Sequence, residues 1–302
     1  MTRPSVSVVI ATRDRPELLR EAVAAVQASR HDGRVEVIAV FDRSEPDASL
    51  ASADENRPVQ VVPNRRTPGL AGARNTGILA ARSDLVAFCD DDDLWLPSKL
   101  LAQVEVLAHD PSVEVVTTGI LVDAGGRLTP RVLDRDRITH ADLLRSRVME
   151  AHPSTYLTRR AALDGIGLVD EELPGSYAED YDWLLRAARR HPVAAVRAPL
   201  VRVRWSRGSY FASRWETIDA ALAHLVARHP ELAAEPAGLA RILGQRAFAQ
   251  AALGRRSEAR ATARRVVELN PREQRAWLAR LVAAGVPASV VVGALNRIGR
   301  GI

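Results

Sequence analysis

Residues 90 to 93 are four consecutive aspartates, and they directly follow the apolar run Leu85-Val86-Ala87-Phe88-Cys89. A run of like charge is ordinarily a solvated face, and an acidic surface turn is one reading. The preceding run, however, reads as a buried strand, whose end cannot turn every carboxylate into water. A divalent cation resolves that conflict. All-oxygen donors suit Mg2+ or Mn2+, ions that bind one or two carboxylates together with substrate phosphates. Arg74 lies near the start of an expected helix, after Gly69 and Gly72. Helix N-termini and guanidinium groups both favour phosphate, and a structural ion pair to a strand-end aspartate is the competing role. Glu179-Asp180 opens an amphipathic stretch, where a carboxylate serves either as a cap or as a proton acceptor.

The elements that must position these residues alternate along the chain. Residues 6–10 read as a buried strand, broken by Thr12-Arg13-Asp14-Arg15; Pro16 suits a first helical turn, with Asp14 as its N-cap. A helix follows over 17–28 with apolar residues near the helical period. Strands are expected over 35–41, 59–62, 84–89 and 113–118, and helices over 70–81 and 99–108. This rhythm predicts an α/β fold with a doubly wound, Rossmann-like and mostly parallel sheet. Such sheets bind ligands at the carboxyl ends of their strands. Asp14, Asp42 and the run at 90–93 each follow a strand, so they are expected to converge.

Between 120 and 215 the pattern is mixed, with a helix near 181–190 and a late strand over 193–197 or 201–205. From about 216 the chain is alanine-rich, with helical blocks over 239–253, 257–269 and 272–284. Gly254-Arg255-Arg256-Ser257-Glu258-Ala259, followed by Asn270-Pro271, resembles the turn and terminal proline of a tetratricopeptide repeat. Only about one repeat is visible, and such units stack in threes or more, so a plain helical cap is the other reading. The expected division is a nucleotide-binding domain over 1–215 and a helical region over 216–302.

Composition narrows the function classes. The net charge is +5, carried almost wholly by arginine, since Lys99 is the only lysine. Arginine is dispersed rather than clustered with aromatics, and no nucleic-acid-binding motif is present, so no nucleic-acid partner is expected. No apolar run reaches the ~18–20 residues of a membrane span, and the start lacks a signal-peptide pattern. The expected location is cytoplasmic, with peripheral contact at the inner face of the membrane left open. A single cysteine, Cys89, excludes an intrachain disulfide and a cysteine zinc site.

Four segments together are similar to family 2 glycosyltransferases of the GT-A fold. They are residues 6–19 (VSVVIATRDRPELL), Gly69-Leu70-Ala71-Gly72-Ala73-Arg74-Asn75-Thr76-Gly77, Phe88-Cys89-Asp90-Asp91-Asp92-Asp93-Leu94-Trp95-Leu96-Pro97, and Ala178-Glu179-Asp180-Tyr181-Asp182-Trp183. They occur in family order across about residues 5–205. The resemblance implies an inverting, metal-dependent enzyme that takes a nucleoside-diphosphate sugar, with a UDP-sugar the expected donor. It implies that Ala11, Thr12 and Arg13 lie at the donor site and that Asp42 contacts the base. Phe41 departs from the family's usual aspartate there, and Arg43 from its frequent glycine. Asp90 or Asp91 would face the ribose or sugar, Asp92 would ligate Mn2+ or Mg2+, and Arg74 would assist the donor. Asp180 would be the general base. His152, Glu179, Trp183 and Arg207 are candidates for the acceptor face or a mobile lid. The acceptor is expected to be a glycan or lipid-linked glycan, with a peptide or natural product as the alternative. A sugar nucleotidyltransferase would need a glycine-rich loop after the first strand, which Ala11-Thr12-Arg13-Asp14-Arg15 lacks. A non-catalytic nucleotide-sugar-binding scaffold is the remaining alternative, disfavoured by the intact aspartates.

Overall fold

The computed structural model describes residues 3–205, 211 and 213–297. The chain forms two compact units. One comprises residues 1–140, 148–171 and 179–207, and the other residues 141–147, 172–178 and 208–302.

The first unit holds the sheet. Its first half runs β1 (Val6–Thr12), α1 (Pro16–Gln27), β2 (Val35–Phe41), β3 (Val59–Pro63), α2 (Leu70–Ala80), β4 (Leu85–Asp90), β5 (Leu94–Trp95) and α3 (Lys99–His109). The unit continues through β6 (Val115–Ala124), β7 (Arg127–Arg131), β8 (Arg137–Ile138), β9 (Leu157–Arg159), α5 (Leu163–Ile166), α6 (Glu179–Arg190) and β10 (Val193–Arg204), while α4 (His140–Arg145) falls almost wholly in the second unit. The main path through the sheet is β3-β2-β1-β4-β9-β6-β10-β5. β1 to β4 pair in parallel, and every residue of β2 is buried, as expected for a strand covered on both faces.

In the second half the long pair β6 and β10 is also parallel, as expected, but short antiparallel strands are interleaved with it. β9 runs antiparallel to both β4 and β6, and β5, β7 and β8 also pair antiparallel. These four are two to five residues long and leave no clear apolar period in the sequence. β10 is one strand rather than either of the two expected pieces. Its pairing with β6 shifts register around Pro199, which lacks the N–H of a regular ladder and marks an irregularity. Asp14 does not cap α1: Arg15 holds that position without a side-chain cap, and Asp14 adopts φ 52°.

Helix α2 lies close against the sheet. A Cβ on Gly77 would stand 2.2 Å from Val9 Cγ1, and one on Gly72 would stand 1.9 Å from the Thr67 carbonyl oxygen. These glycines are therefore demanded by packing.

The second unit is helical: α7 (Trp215–Arg228), α8 (Pro236–Ala252), α9 (Arg256–Leu269), α10 (Gln274–Ala283) and α11 (Ala288–Arg297). Its core is built on Ala240, Ala247, Phe248, Ala263, Val266, Ala276 and Ala279. Alanine at these positions lets helices approach closely, and Trp215 packs edge-on against Phe248 at 5.4 Å.

Candidate active site

Sheet register brings the strand ends together. Thr12 pairs with Phe41 on one side, and Ala11 pairs with Asp90 on the other. Beyond β2, the Asp42 backbone N–H donates to the Thr12 carbonyl at 2.9 Å. Asp42 Oδ1 accepts from Asn64 Nδ2 at 2.8 Å and from the Gly69 N–H at 3.0 Å. Asp42 thus ties the loops after β2 and β3 to the start of α2. Its Oδ2 has no protein donor among the described residues, so it can accept a hydrogen bond from a ligand. Gly69 sits at φ 130°, a conformation that L side chains rarely adopt. Arg43 sits at φ 53°, in the left-handed region that favours glycine; this accounts physically for the glycine frequent at that position in the resembled family.

The four aspartates point to different partners. Asp90 pairs with Arg74 Nη2 at 2.6 Å. Asp91 is buried and accepts from Thr12 Oγ1 at 2.8 Å and from Arg15 Nη1 at 3.1 Å. The same Arg15 nitrogen lies 3.1 Å from Asp92, whose side chain retains 35% of its exposure. Asp93 faces inward, accepting from Ser154 Oγ at 2.6 Å and lying 3.3 Å from His152 Nδ1. Burial, followed by the neighbouring negative charges, raises the Asp92 and Asp93 carboxyls above the usual range. Asp91 is raised by burial, against the opposing pull of Thr12 and Arg15. The Ser154 hydroxyl also accepts from the Asp90 N–H at 2.9 Å, so one buried serine braces both ends of the acidic turn.

Arg74 links this turn to α6. Its guanidinium is 5% exposed and pairs with both Asp90 and Glu179. It is an internal bridge, and Glu179 is its buried partner. Asp180, the next residue, is half-buried and lines a small cavity with Arg74, Pro153, Tyr156 and Trp183. Asp182 is buried and holds Arg186. Trp183 is 1% exposed. It stacks on Tyr156 at 5.7 Å, meets Phe88 edge-on, and donates to the Gly167 carbonyl at 3.2 Å. It is therefore a core residue that cannot stack on a sugar from this position. Trp95 is also buried, donating to the Ser154 carbonyl at 2.9 Å.

Other expected site residues lie further out or play backbone roles. Ala11 contributes through the β1 ladder. The Arg13 side chain is turned toward Asp14 at 3.5 Å and is 48% exposed. His152 stands between Asp93 and Asp90, with Nε2 4.0 Å from Asp90. Arg207 lies outside the described residues. Sequence reasoning missed Arg15, Ser154 and Asp93 as site builders. Arg15 carried a signal, since it follows the same strand end as Thr12, but only the fold shows which acid it meets.

The acidic turn suits a hard divalent cation. Asp92 turns outward with Arg15 as its charge partner, and its neighbours Asp90 and Asp91 add to the local negative charge. Asp90, Asp93 and His152 can each offer a ligand atom within 4.8 Å of the others. Asp93 is engaged by Ser154 and 1% exposed, whereas the Asp90 and Asp92 side chains keep 26% and 35% of their exposure.

Residues 7–167 match the family model described as glycosyl transferase family 2. The chain belongs to that family. The amylovoran biosynthesis glycosyltransferase AmsE of Erwinia amylovora is 27% identical over 207 residues, which cover 66% of this chain and 75% of AmsE. Among solved structures, Staphylococcus aureus TarS 1–349 in complex with UDP-GlcNAc superposes with a TM-score of 0.64 at 18% identity, covering 98% of this chain and 92% of that one. The mannosyltransferase PcManGT of Pyrobaculum calidifontis, in complex with GDP-Man and Mn2+, superposes with a TM-score of 0.56 at 19% identity, covering 98% and 88%. The fold is GT-A, and this family 2 glycosyltransferase transfers sugar from a nucleotide-sugar donor.

Proposed function

We propose that this glycosyltransferase is inverting and metal-dependent, and that it moves a sugar from a UDP-sugar to a glycan or lipid-linked glycan. One observation carries the proposal: Arg74 bridges the acidic turn after β4 to the first turn of α6, and Asp180, the next residue of α6, lines a small cavity with that guanidinium. Asp42 Oδ2 would accept a base N–H, and Asp90 or Asp91 would face the ribose or sugar. Mn2+ or Mg2+, held by Asp92 together with the donor diphosphate, would supply charge neutralisation for the leaving group. Asp180 takes the proton from the acceptor as it attacks the anomeric carbon opposite the diphosphate, a general-base role that needs hydrogen-bond reach to that proton. One displacement inverts the configuration. The Mn2+ bound by PcManGT and the UDP-GlcNAc bound by TarS support the cofactor and donor classes. The amylovoran biosynthesis named for AmsE supports the acceptor class. We assign transfer to residues 1–215 and a docking role to the helical region 216–302, at the cytoplasmic face of a membrane. Among the described residues no helix is long and apolar enough to cross one.

The test is transfer of a UDP-sugar to a lipid-linked acceptor, with the product's anomeric configuration read by NMR. An inverted product, with turnover lost and donor binding kept in Asp180→Asn, is expected. A retained configuration, or full turnover in Asp180→Asn, overturns the assignment.

A further inference from the structure

The positive charge of this chain lies in its helical region. Residues 211–302 carry 14 arginines against seven acids, whereas residues 1–210 carry 28 basic residues against 30 acids. Within that region α9 shows two kinds of arginine. Arg265 is paired with Glu268 at 3.0 Å, and Arg255, just before the helix, is paired with Glu216. Arg256, Arg260 and Arg264 are exposed and, among the described residues, have no acidic partner. Their i, i+4, i+8 spacing puts them on one helix face over about 12 Å. Like charges at that spacing destabilise a helix, so nothing in the helix itself favours this row.

The neighbouring helices add exposed apolar side chains. Trp277 and Leu281 follow one another at i, i+4 on α10 with 48% and 51% exposure, and Val290 on α11 is 60% exposed. Arg280 lies over the Trp277 ring at 4.7 Å, and the indole N–H reaches the Pro271 carbonyl at the α9–α10 turn. Tryptophan and aliphatic side chains beside arginine suit the boundary between headgroups and acyl chains. A soluble polyanion or nucleic acid would satisfy the arginines and leave Leu281 and Val290 in water.

We propose that the α9–α11 helices dock the enzyme on an anionic lipid surface, with Arg256, Arg260 and Arg264 meeting headgroup phosphates and Trp277 and Leu281 entering the interface. The proposal deepens the reading of a membrane-borne acceptor, but vesicle binding requires neither donor nor acceptor, so the two can fail separately.

The full chain is sedimented with phosphatidylcholine vesicles and with vesicles in which about a third of the lipid is phosphatidylglycerol. Binding to the anionic vesicles, weakened by salt, is expected, with each arginine near the surface contributing about five-fold. The triple change Arg256→Gln, Arg260→Gln, Arg264→Gln lowers partitioning by about 100-fold while keeping the wild-type melting temperature and donor hydrolysis in vesicle-free buffer. The matching triple lysine variant retains binding, and Trp277→Ser with Leu281→Ser weakens it. Equal or absent binding on both vesicle types, or a glutamine triple that binds as wild type, overturns the proposal. Binding to polyphosphate or an oligonucleotide without vesicle binding replaces it with a soluble polyanion.

Discussion

Arg74→Met tests the internal bridge. In the folded chain one guanidinium, 5% exposed, neutralises Asp90 and the 6%-exposed Glu179 together. Methionine fills much of the same volume but leaves both carboxylates without their cation. Removing one partner from a buried ion pair costs about 3–5 kcal/mol, whereas an exposed pair is worth about 0–1 kcal/mol. Urea unfolding followed by circular dichroism should therefore show the midpoint falling by about 1–2 M at an m-value of roughly 2–3 kcal/mol/M. Arg74→Lys keeps the charge but not the fork that spans two acids, and should recover about half of the loss. Donor affinity should fall with stability, because the acidic turn and α6 lose their common anchor. A loss below about 1 kcal/mol would refute the bridge. Unchanged stability with abolished donor binding would instead return Arg74 to the phosphate-contacting role expected from the sequence.

Three further outcomes follow from the packing. Trp183→Ala should cost about 3–5 kcal/mol as a buried aromatic truncation, seen as a lower melting temperature; a raised KM with unchanged melting would restore the acceptor-face role expected from the sequence. Gly77→Ala should cost about 1–3 kcal/mol by overpacking, because its Cβ would meet Val9 at 2.2 Å; an unchanged melt would mean that α2 stands off β1. Burial lowers the Lys99 ammonium from 10.5 to about 7. Between those values the unfolded chain binds a proton that the folded chain lacks, so stability rises with pH across that window, and the full cost of the buried charge remains below it. Gln103 at 2.8 Å and the Trp95 face at 3.7 Å offset part of that cost. Lys99→Met should therefore stabilise by about 1–3 kcal/mol near pH 6, with the gain fading toward pH 10; destabilisation at pH 6 would contradict the argument.

The first half of the fold was legible because β1, β2 and β4 are apolar runs each followed by a polar break. That same pattern placed Asp42 and Asp90–Asp93 at one sheet edge. In the second half β6, α6 and part of β10 were legible, but β5, β7, β8 and β9 were not, because they are too short to carry a period and are held by neighbours distant in sequence. Residue types at the site were legible, but their directions were not. Four identical aspartates in a row carry no sign that Asp93 turns inward to Ser154, 61 residues away, or that Asp91 meets Thr12, 79 residues away. Trp183 read as a candidate for the acceptor face because it lies in an acidic segment, yet Asp182 beside it and Glu179 one turn back are buried against Arg186 and Arg74. A buried, paired carboxylate looks in sequence like an exposed one.

The most direct test of donor binding at the acidic turn is calorimetric titration of a panel of nucleotide sugars, with Mn2+ and with chelator, into the wild-type chain and Asp92→Ala. Heat for a UDP-sugar that requires the metal and is lost in Asp92→Ala is the predicted result. Equal donor binding in chelator, or in Asp92→Ala with Mn2+ present, would contradict the metal-bridged site.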